Sequence, residues 1–397
     1  MRGFSGWAAA ACLGLLGCQG ADRPARIADP TPRPPEPESL IDPSEAPSLS
    51  SMSLCGAATV TLDFIRPNLY FAIDASGSMS EGIPSAAATT GAQPGGSPAT
   101  NRYDSLADAL QRLLARIGHR VNYGATLFPT ADATCDSGKE ILPLTPGDTV
   151  SFAVSGAVGP VLKELMFDIH RRTPRGGTPV ALALQGLLPV LRQQSTATYV
   201  FLVTDGGPNC DAAARCGPEA CIPNLERVRL SEELVCDESL NCCDPSAFGP
   251  ENCLDSNGSR RAVEALASAG VRTFVIGIPG SDVFADVLDD LAVAGGLARP
   301  DTPRYYRVAD ADELTDTVGA LGLQVALSCN IQLAEPPPDP ALVNLFFDGE
   351  LVLADPDNGW IFSDARSIQV LGTACELMQT GQVLQADIIA GCPIVIR

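Results

Sequence analysis

Leu69-Tyr70-Phe71-Ala72-Ile73-Asp74-Ala75-Ser76-Gly77-Ser78 changes character at its sixth residue. The apolar run from Leu69 to Ile73 is long enough for a strand buried on both faces. Asp-x-Ser-x-Ser follows at once and sets a carboxylate and two hydroxyls on the loop at the strand's end. Hard oxygen donors at alternate positions of one loop suit a small hard cation such as Mg²⁺. Taken alone, the same residues also read as a Ser/Gly turn after a core strand. Two later stretches, Arg175-Gly176-Gly177-Thr178-Pro179 and Val203-Thr204-Asp205-Gly206, each add an oxygen donor on a loop and favour the cation.

Outward from this stretch, 397 residues with 45% apolar content point to a large globular domain plus an appendage. A formal net charge of −21, with no concentrated basic run, makes nucleic acid an unfit partner. Arg2 and the short apolar run Phe4 to Leu16 form an export signal over residues 1–18. It ends in Leu15-Leu16-Gly17-Cys18, which resembles the bacterial lipobox. That resemblance implies acylation of Cys18, and Gln19 after it implies the outer membrane or cell surface. A plain signal peptide is the alternative. Residues 19–54 are Pro-, Ser- and acid-rich and read as an extended tether. At ~3.1 Å per residue such a tether reaches on the order of 100 Å.

Cys55 and Thr59 to Ile65 open the folded part, and Ser85 to Thr100 reads as a loop insertion. Helical spacing of apolar residues marks Tyr103–Ile117, Val161–Arg171, Val180–Leu191, Arg260–Ala269, Val283–Ala294 and Glu313–Leu327. Strands are expected at Val121–Phe128, Thr198–Thr204, Val271–Ile278 and Tyr305–Val308. This alternation predicts an α/β fold: a doubly wound, mostly parallel sheet with helices on both faces. After Cys329 the pattern changes to a small all-β module over residues 330–397. It contains a hairpin turning at Asp348-Gly349 and strands at Ser367–Leu371 and Val383–Ile389. Asp355-Pro356-Asp357-Asn358-Gly359 reads as a tight turn before a calcium loop, because the full ligand spacing is missing.

Asp74, Ser76 and Ser78 follow one strand, Asp205 follows another, and Thr178 lies in a Gly-Gly-Thr-Pro loop. In doubly wound sheets, ligands bind beyond the carboxyl ends of the strands. Together these residues resemble the metal-ion-dependent adhesion site of a von Willebrand factor A (vWA) domain, over about Thr59 to Leu327. The resemblance implies a divalent ion, Mg²⁺ or else Mn²⁺ or Ca²⁺, held by Asp74, Ser76, Ser78, Thr178 and Asp205. It further implies that the serines touch the ion directly and that the aspartates act through water. The vWA domain is placed at residues 55–329. The segment at about 207–257 departs from the family pattern and leaves access to the site undecided.

Fourteen cysteines minus Cys12 of the signal and Cys18 leave twelve, an even number that in an exported chain reads as disulfides. Seven lie in the inserted segment: Cys210, Cys216, Cys221, Cys236, Cys242, Cys243 and Cys253. A zinc cluster is the alternative, but no CxxC pair supports it. Seven is odd, and Cys135, on a loop at the same rim, is the expected outside partner. Cys55 and Cys329 flank the vWA domain, whose ends lie close together in that family, so the resemblance pairs them. Cys375 with Cys392 would staple the C-terminal module.

Arg171, Arg172 and Arg175 precede the Thr178 loop and either complement a helix dipole or receive an acidic ligand. Three functions fit the cation reading. The first is a non-catalytic, membrane-anchored adhesion module that captures an exposed Asp or Glu of a partner protein. The second is a metal-dependent enzyme, or an enzyme-complex subunit, at the cell envelope. The third is a scaffold whose ion is structural. His119 and His170, the only histidines, sit away from the loops, and no GxSxG, HExxH or Walker motif occurs, so binding is the expectation.

Overall fold

The computed structural model describes residues 60–61, 65–84, 100–379, 382–383 and 385–392. The lipobox with Cys18, the tether, Cys55 and nearly all of the 85–100 loop lie outside the described residues. In chain order the first strands are β1 (Val60–Thr61), which joins a sheet of the smaller unit, and, in the larger unit, β2 (Asn68–Asp74), β3 (Asn122–Phe128), β4 (Lys139–Pro146), β5 (Thr198–Thr204), β6 (Val271–Gly277) and β7 (Tyr306–Arg307). The helices are α1 (Arg102–Ile117), α2 (Val150–Ser155), α3 (Pro160–Arg171), α4 (Val180–Leu191), α5 (Ile222–Leu225), α6 (Ser256–Ser268), α7 (Ala285–Ala294) and α8 (Ala311–Ala326).

Strands β4-β3-β2-β5-β6-β7 form one six-stranded sheet, parallel except for β4. Side chains alternate across a strand, and β2 shows why its sequence is apolar throughout. Leu69, Phe71 and Ile73 enter the core beneath α1, α3 and α8, while Tyr70 and Ala72 enter the core beneath α4, α6 and α7. Phe71, Phe201 and Phe274 run across three adjacent strands with ring centroids 5.3 and 5.0 Å apart. Such ring pairs add about 0.5–1.5 kcal/mol each beyond their burial. The chain leaves β2 toward β3 on one side and later fills β5 and β6 on the other. The order therefore reverses beside β2, where Asp74 ends one strand and Asp205 follows its neighbour.

The antiparallel edge strand β4 falls in a stretch where the sequence predicts no element. Lys139, Glu140, Pro143 and Pro146 suit an edge with one solvated side. Strand β1, expected to open the larger domain, pairs instead with Ile389 and Ala390 of the smaller unit.

That smaller unit holds β8 (Asn330–Gln332), β9 (Val343–Phe347), β10 (Glu350–Val352), β11 (Trp360–Asp364), β12 (Ser367–Val370), α9 (Gly372–Gln379) and β13 (Ala386–Ala390). Its strands form two antiparallel sheets, β1-β13-β9-β10 and β11-β12-β8. The β9–β10 hairpin turns at Asp348 and Gly349 with φ of 49° and 87°, as the Asp-Gly pair requires. Helix α9 corrects the all-β expectation. At the 355–359 turn, Asp355 Oδ1 accepts from the amides of Asp357 and Asn358, which is the tight-turn reading. Leu323 and Ala326 of α8 pack against both this unit's core and the larger one. Arg120 adds a buried tie, donating through Nη2 to the Val383 carbonyl at 2.7 Å and through Nε to His119 Nε2 at 3.2 Å.

Two expected disulfides are corrected here. Cys329 bonds Cys375, not Cys55, and Cys375 therefore does not bond Cys392, which is itself disulfide-bonded. The reason is sheet pairing. Strand β12 runs against β8, the Val370 amide donates to the Cys329 carbonyl at 2.7 Å, and α9 follows directly with Cys375.

Candidate metal centre

Asp74 is the last residue of β2 and is fully buried. Its Oδ1 accepts the Ser76 amide at 2.8 Å, and its Oδ2 accepts the Thr204 hydroxyl at 2.6 Å from the end of β5. The chain then tightens into a 3₁₀ turn over Gly77–Ser80, which turns both serine hydroxyls the same way. Ser76 Oγ and Ser78 Oγ lie 3.2 Å apart, and Ser78 donates to Asp205 Oδ1 at 2.8 Å.

The Thr178 loop is clipped to this turn by backbone bonds. Gly77 donates to the Gly176 carbonyl at 2.9 Å, and Arg175 donates to the Ala75 carbonyl at 2.8 Å. Thr178 is held on its other side by Asn209, whose Oδ1 accepts the Thr178 amide at 2.6 Å. Gly177 has no room for a side chain, since a Cβ there would sit 2.7 Å from Cys210 Sγ. A Cβ on Gly206 would lie 3.5 Å from Thr178 Oγ1 and 3.6 Å from Ser78 Oγ. The structure therefore brings Asp74, Ser76, Ser78, Thr178 and Asp205 around one point.

Arg102, the first residue of α1, was not foreseen as part of this group. Its guanidinium is 2.5 Å from Asp205 Oδ2, 3.2 Å from the Ser78 carbonyl and 2.9 Å from Glu81. A cation in a helix's first turn opposes the helix dipole, and that misplaced charge was the available signal. Thr204, Asn209 and Glu226 were missed as well. Of the three arginines before the Thr178 loop, Arg172 donates to the carbonyls of Pro129 and Thr130 at 3.0 and 3.2 Å and so ties loops together. Arg171 stacks over Phe167, and Arg175 is an exposed partner of Asp132 at 3.7 Å.

The site's electrostatics follow from this burial. Asp74 is pushed up to about 7, first by loss of water and then by the charge of Asp205. Asp205 is also raised, because its burial outweighs the help of Arg102 and Ser78. Glu226 is raised by its partial enclosure, then by Asp205 and Glu81. Three carboxyls in one cleft thus hold their protons more tightly than usual, chiefly because the protein shields them from water, and a cation seated among them would favour their charged forms. Only oxygen donors surround the point, a set that suits Mg²⁺, Mn²⁺ or Ca²⁺ over zinc or copper.

Above these loops lies the inserted segment. Cys135–Cys210 ties its root to the loop after β3, as the odd count required. Cys216–Cys253, Cys221–Cys243 and Cys236–Cys242 brace the rest. The sulfurs of Cys216, Cys243 and Cys253 crowd within 4.8 Å, yet all three are consumed in disulfides and offer no thiolate to zinc. Between segment and loops is a cavity of about 360 Å³, lined by Ser78, Thr178 and Gly206 of the site loops and by Ile222, Pro223 and Glu226 of the insertion. Neither His119 nor His170 lines it.

No protein-family model matches this chain, and no curated protein matches it. Among solved structures it is similar to the pilus adhesin SpaC of Lactobacillus rhamnosus GG, at 13% identity over 83% of this chain and 39% of that one, TM-score 0.43. It is also similar to the vWF domain of the type V pili tip protein Mfa5 of Porphyromonas gingivalis, at 12% identity over 66% and 97%, TM-score 0.40. A third is the manganese-loaded TRAP protein of Plasmodium vivax, at 15% identity over 66% and 76%, TM-score 0.35. The chain spans about two fifths of the SpaC structure's length. Its strand order, mostly parallel sheet and three convergent loops give the chain a von Willebrand factor A-like fold, with small antiparallel sheets at the C-terminus.

Proposed function

We propose that this chain is a membrane-anchored, divalent-cation-dependent adhesion module that captures an acidic group of a partner protein. The observation that carries the proposal is the convergence of Asp74, Ser76, Ser78, Thr178 and Asp205, with both aspartates buried and their carboxyls raised by that burial. These five residues would hold one ion, Mg²⁺ first and Mn²⁺ or Ca²⁺ otherwise. The ion would supply a positive centre with a coordination position open to a carboxylate from outside. Thr204 and Asn209 orient Asp74 and the Thr178 loop, and Arg102 steadies Asp205. Acylation at Cys18 would keep the module at the outer membrane or cell surface. Two or more acyl chains hold a protein stably, whereas one is marginal.

Calorimetry with Mg²⁺ and Mn²⁺ tests the ion, and capture of surface proteins with Mg²⁺ or with EDTA tests the partner. Saturable binding in the wild type, lost in Ser76→Ala, is the expected result. No saturable binding of either ion to the folded chain refutes the proposal.

A further inference from the structure

We propose that Glu226, carried by the inserted segment, is the chain's own acidic ligand for the cation of this site, seated where a partner's carboxylate would otherwise bind. The inference rests on the metal-binding reading above. Glu226 lines the same cavity as Ser78 and Thr178 and is close enough to Asp205 to feel its charge. Its side chain is exposed, and among the described residues its carboxylate is free of hydrogen-bond and ion-pair partners, so it can turn to an ion, while Arg102, the neighbouring cation, is committed to Asp205 and Glu81.

The platform beneath Glu226 is fixed. Its amide donates to the Ile222 carbonyl at 2.9 Å, closing α5. Asn224, buried in that turn, accepts the Cys242 amide at 3.1 Å and donates to the Pro218 carbonyl at 3.0 Å. Cys221–Cys243 and Cys216–Cys253 lock the same turn to the rest of the segment, and Cys135–Cys210 locks the segment to the far wall of the cavity. A carboxylate on so constrained a mount can reach into the cavity without ordering a loop first, which lowers the backbone part of the entropic cost of recruiting a ligand.

Charge balance gives the consequence. A divalent ion and Arg102 bring three positive charges against Asp74, Asp205, Glu81 and Glu226. A fifth carboxylate, from a partner, enters favourably only when Glu226 gives up its place. The insertion is then a built-in competitor that selects partners able to displace it.

The test uses Mn²⁺ and the full-length chain in detergent, with affinity and inner-sphere water read by electron paramagnetic resonance and water-proton relaxation. Glu226→Gln is expected to weaken Mn²⁺ at least tenfold and to add one exchangeable water to the bound ion. Glu226→Asp keeps the charge but shortens the reach, so it should also add the water while losing less affinity. Variants with wild-type circular dichroism, affinity within twofold and an unchanged water number overturn the role of Glu226 and leave the five-residue site standing. Absence of Mn²⁺ binding in the wild type sinks both readings together. If Glu226→Gln does not fold, Glu226→Asp decides.

Discussion

Replacing Arg102 with Gln removes the cation that, among the described residues, pairs with Asp205. Arg102 is 9% and Asp205 2% exposed, so the pair is largely shielded from solvent. Two unit charges about 4 Å apart interact by about 4 kcal/mol at an effective dielectric constant of 20. An independent bound comes from titration. Asp205 has an unperturbed value of 3.8, and the variant can at worst bind a proton in the folded state. At pH 7 that costs about 1.36 kcal/mol for each of the 3.2 pH units between, or about 4 kcal/mol. The sign is fixed by the raised folded value: below the unfolded pKa both states are protonated and no penalty exists, and the penalty grows as pH rises. At pH 5 the ceiling falls to about 1.6 kcal/mol. Because Asp205 is already raised with Arg102 in place, the loss must fall short of these ceilings, and urea unfolding in EDTA should show Arg102→Gln destabilised by roughly 1–3 kcal/mol at pH 7 and by clearly less at pH 5. Saturating Mg²⁺ should stabilise the variant more than the wild type, because the ion replaces the missing charge. A loss under about 1 kcal/mol at pH 7, or an equal loss at both pH values, refutes this account of Asp205.

Because Asp74 sits at about 7 without the ion, cation binding should release a proton. Calorimetric Mn²⁺ affinity is then expected to be about tenfold weaker at pH 6 than at pH 8, and a flat profile would remove Asp74 from the ion's surroundings. Opening Cys135–Cys210 with a Cys135→Ser, Cys210→Ser double variant frees a loop of sequence separation 75. Chain entropy sets the expected loss at about 4.5 kcal/mol, read in thermal or urea unfolding, and a double variant as stable as wild type would show that the tie contributes nothing. Changing Cys18 to Ala should move the protein from the membrane fraction to the soluble one; full sedimentation with membranes would contradict lipid anchoring there.

How much of this was legible varies with the range of the contacts involved. Strand β5 and helix α4 fall where periodicity placed them, at Thr198–Thr204 and Val180–Leu191, because a buried parallel strand and a broad apolar helix face are written locally. Helix α6 begins at Ser256, four residues before its expected start. Asp255 caps it by accepting the Gly258 amide at 2.8 Å, and a glycine in the first turn hides that start. The pairing of Val60–Thr61 with β13, and that of Cys329 with Cys375, depend on which distant strand lies alongside. No local period carries that information.

The same division runs through the site. Asp74, Ser76 and Ser78 announce themselves because three oxygen donors share one short loop, and Thr178 and Asp205 because each sits on a loop of the right kind. Arg102 and Glu226 carry no such mark. Each lies more than twenty residues from any of the five loop donors in sequence and joins the cleft through the α1 start or the disulfide-braced turn. Yet these two bear on the site's charge: Arg102 sets how tightly Asp205 is held without an ion, and Glu226 adds negative charge to the cavity lining. A family pattern of oxygen donors can therefore place a cation site while leaving its strength and selectivity to residues that only the folded chain reveals. In this chain the Cys-rich insertion contributes Glu226, so exchanging that segment should alter cation affinity even with the five loop donors untouched.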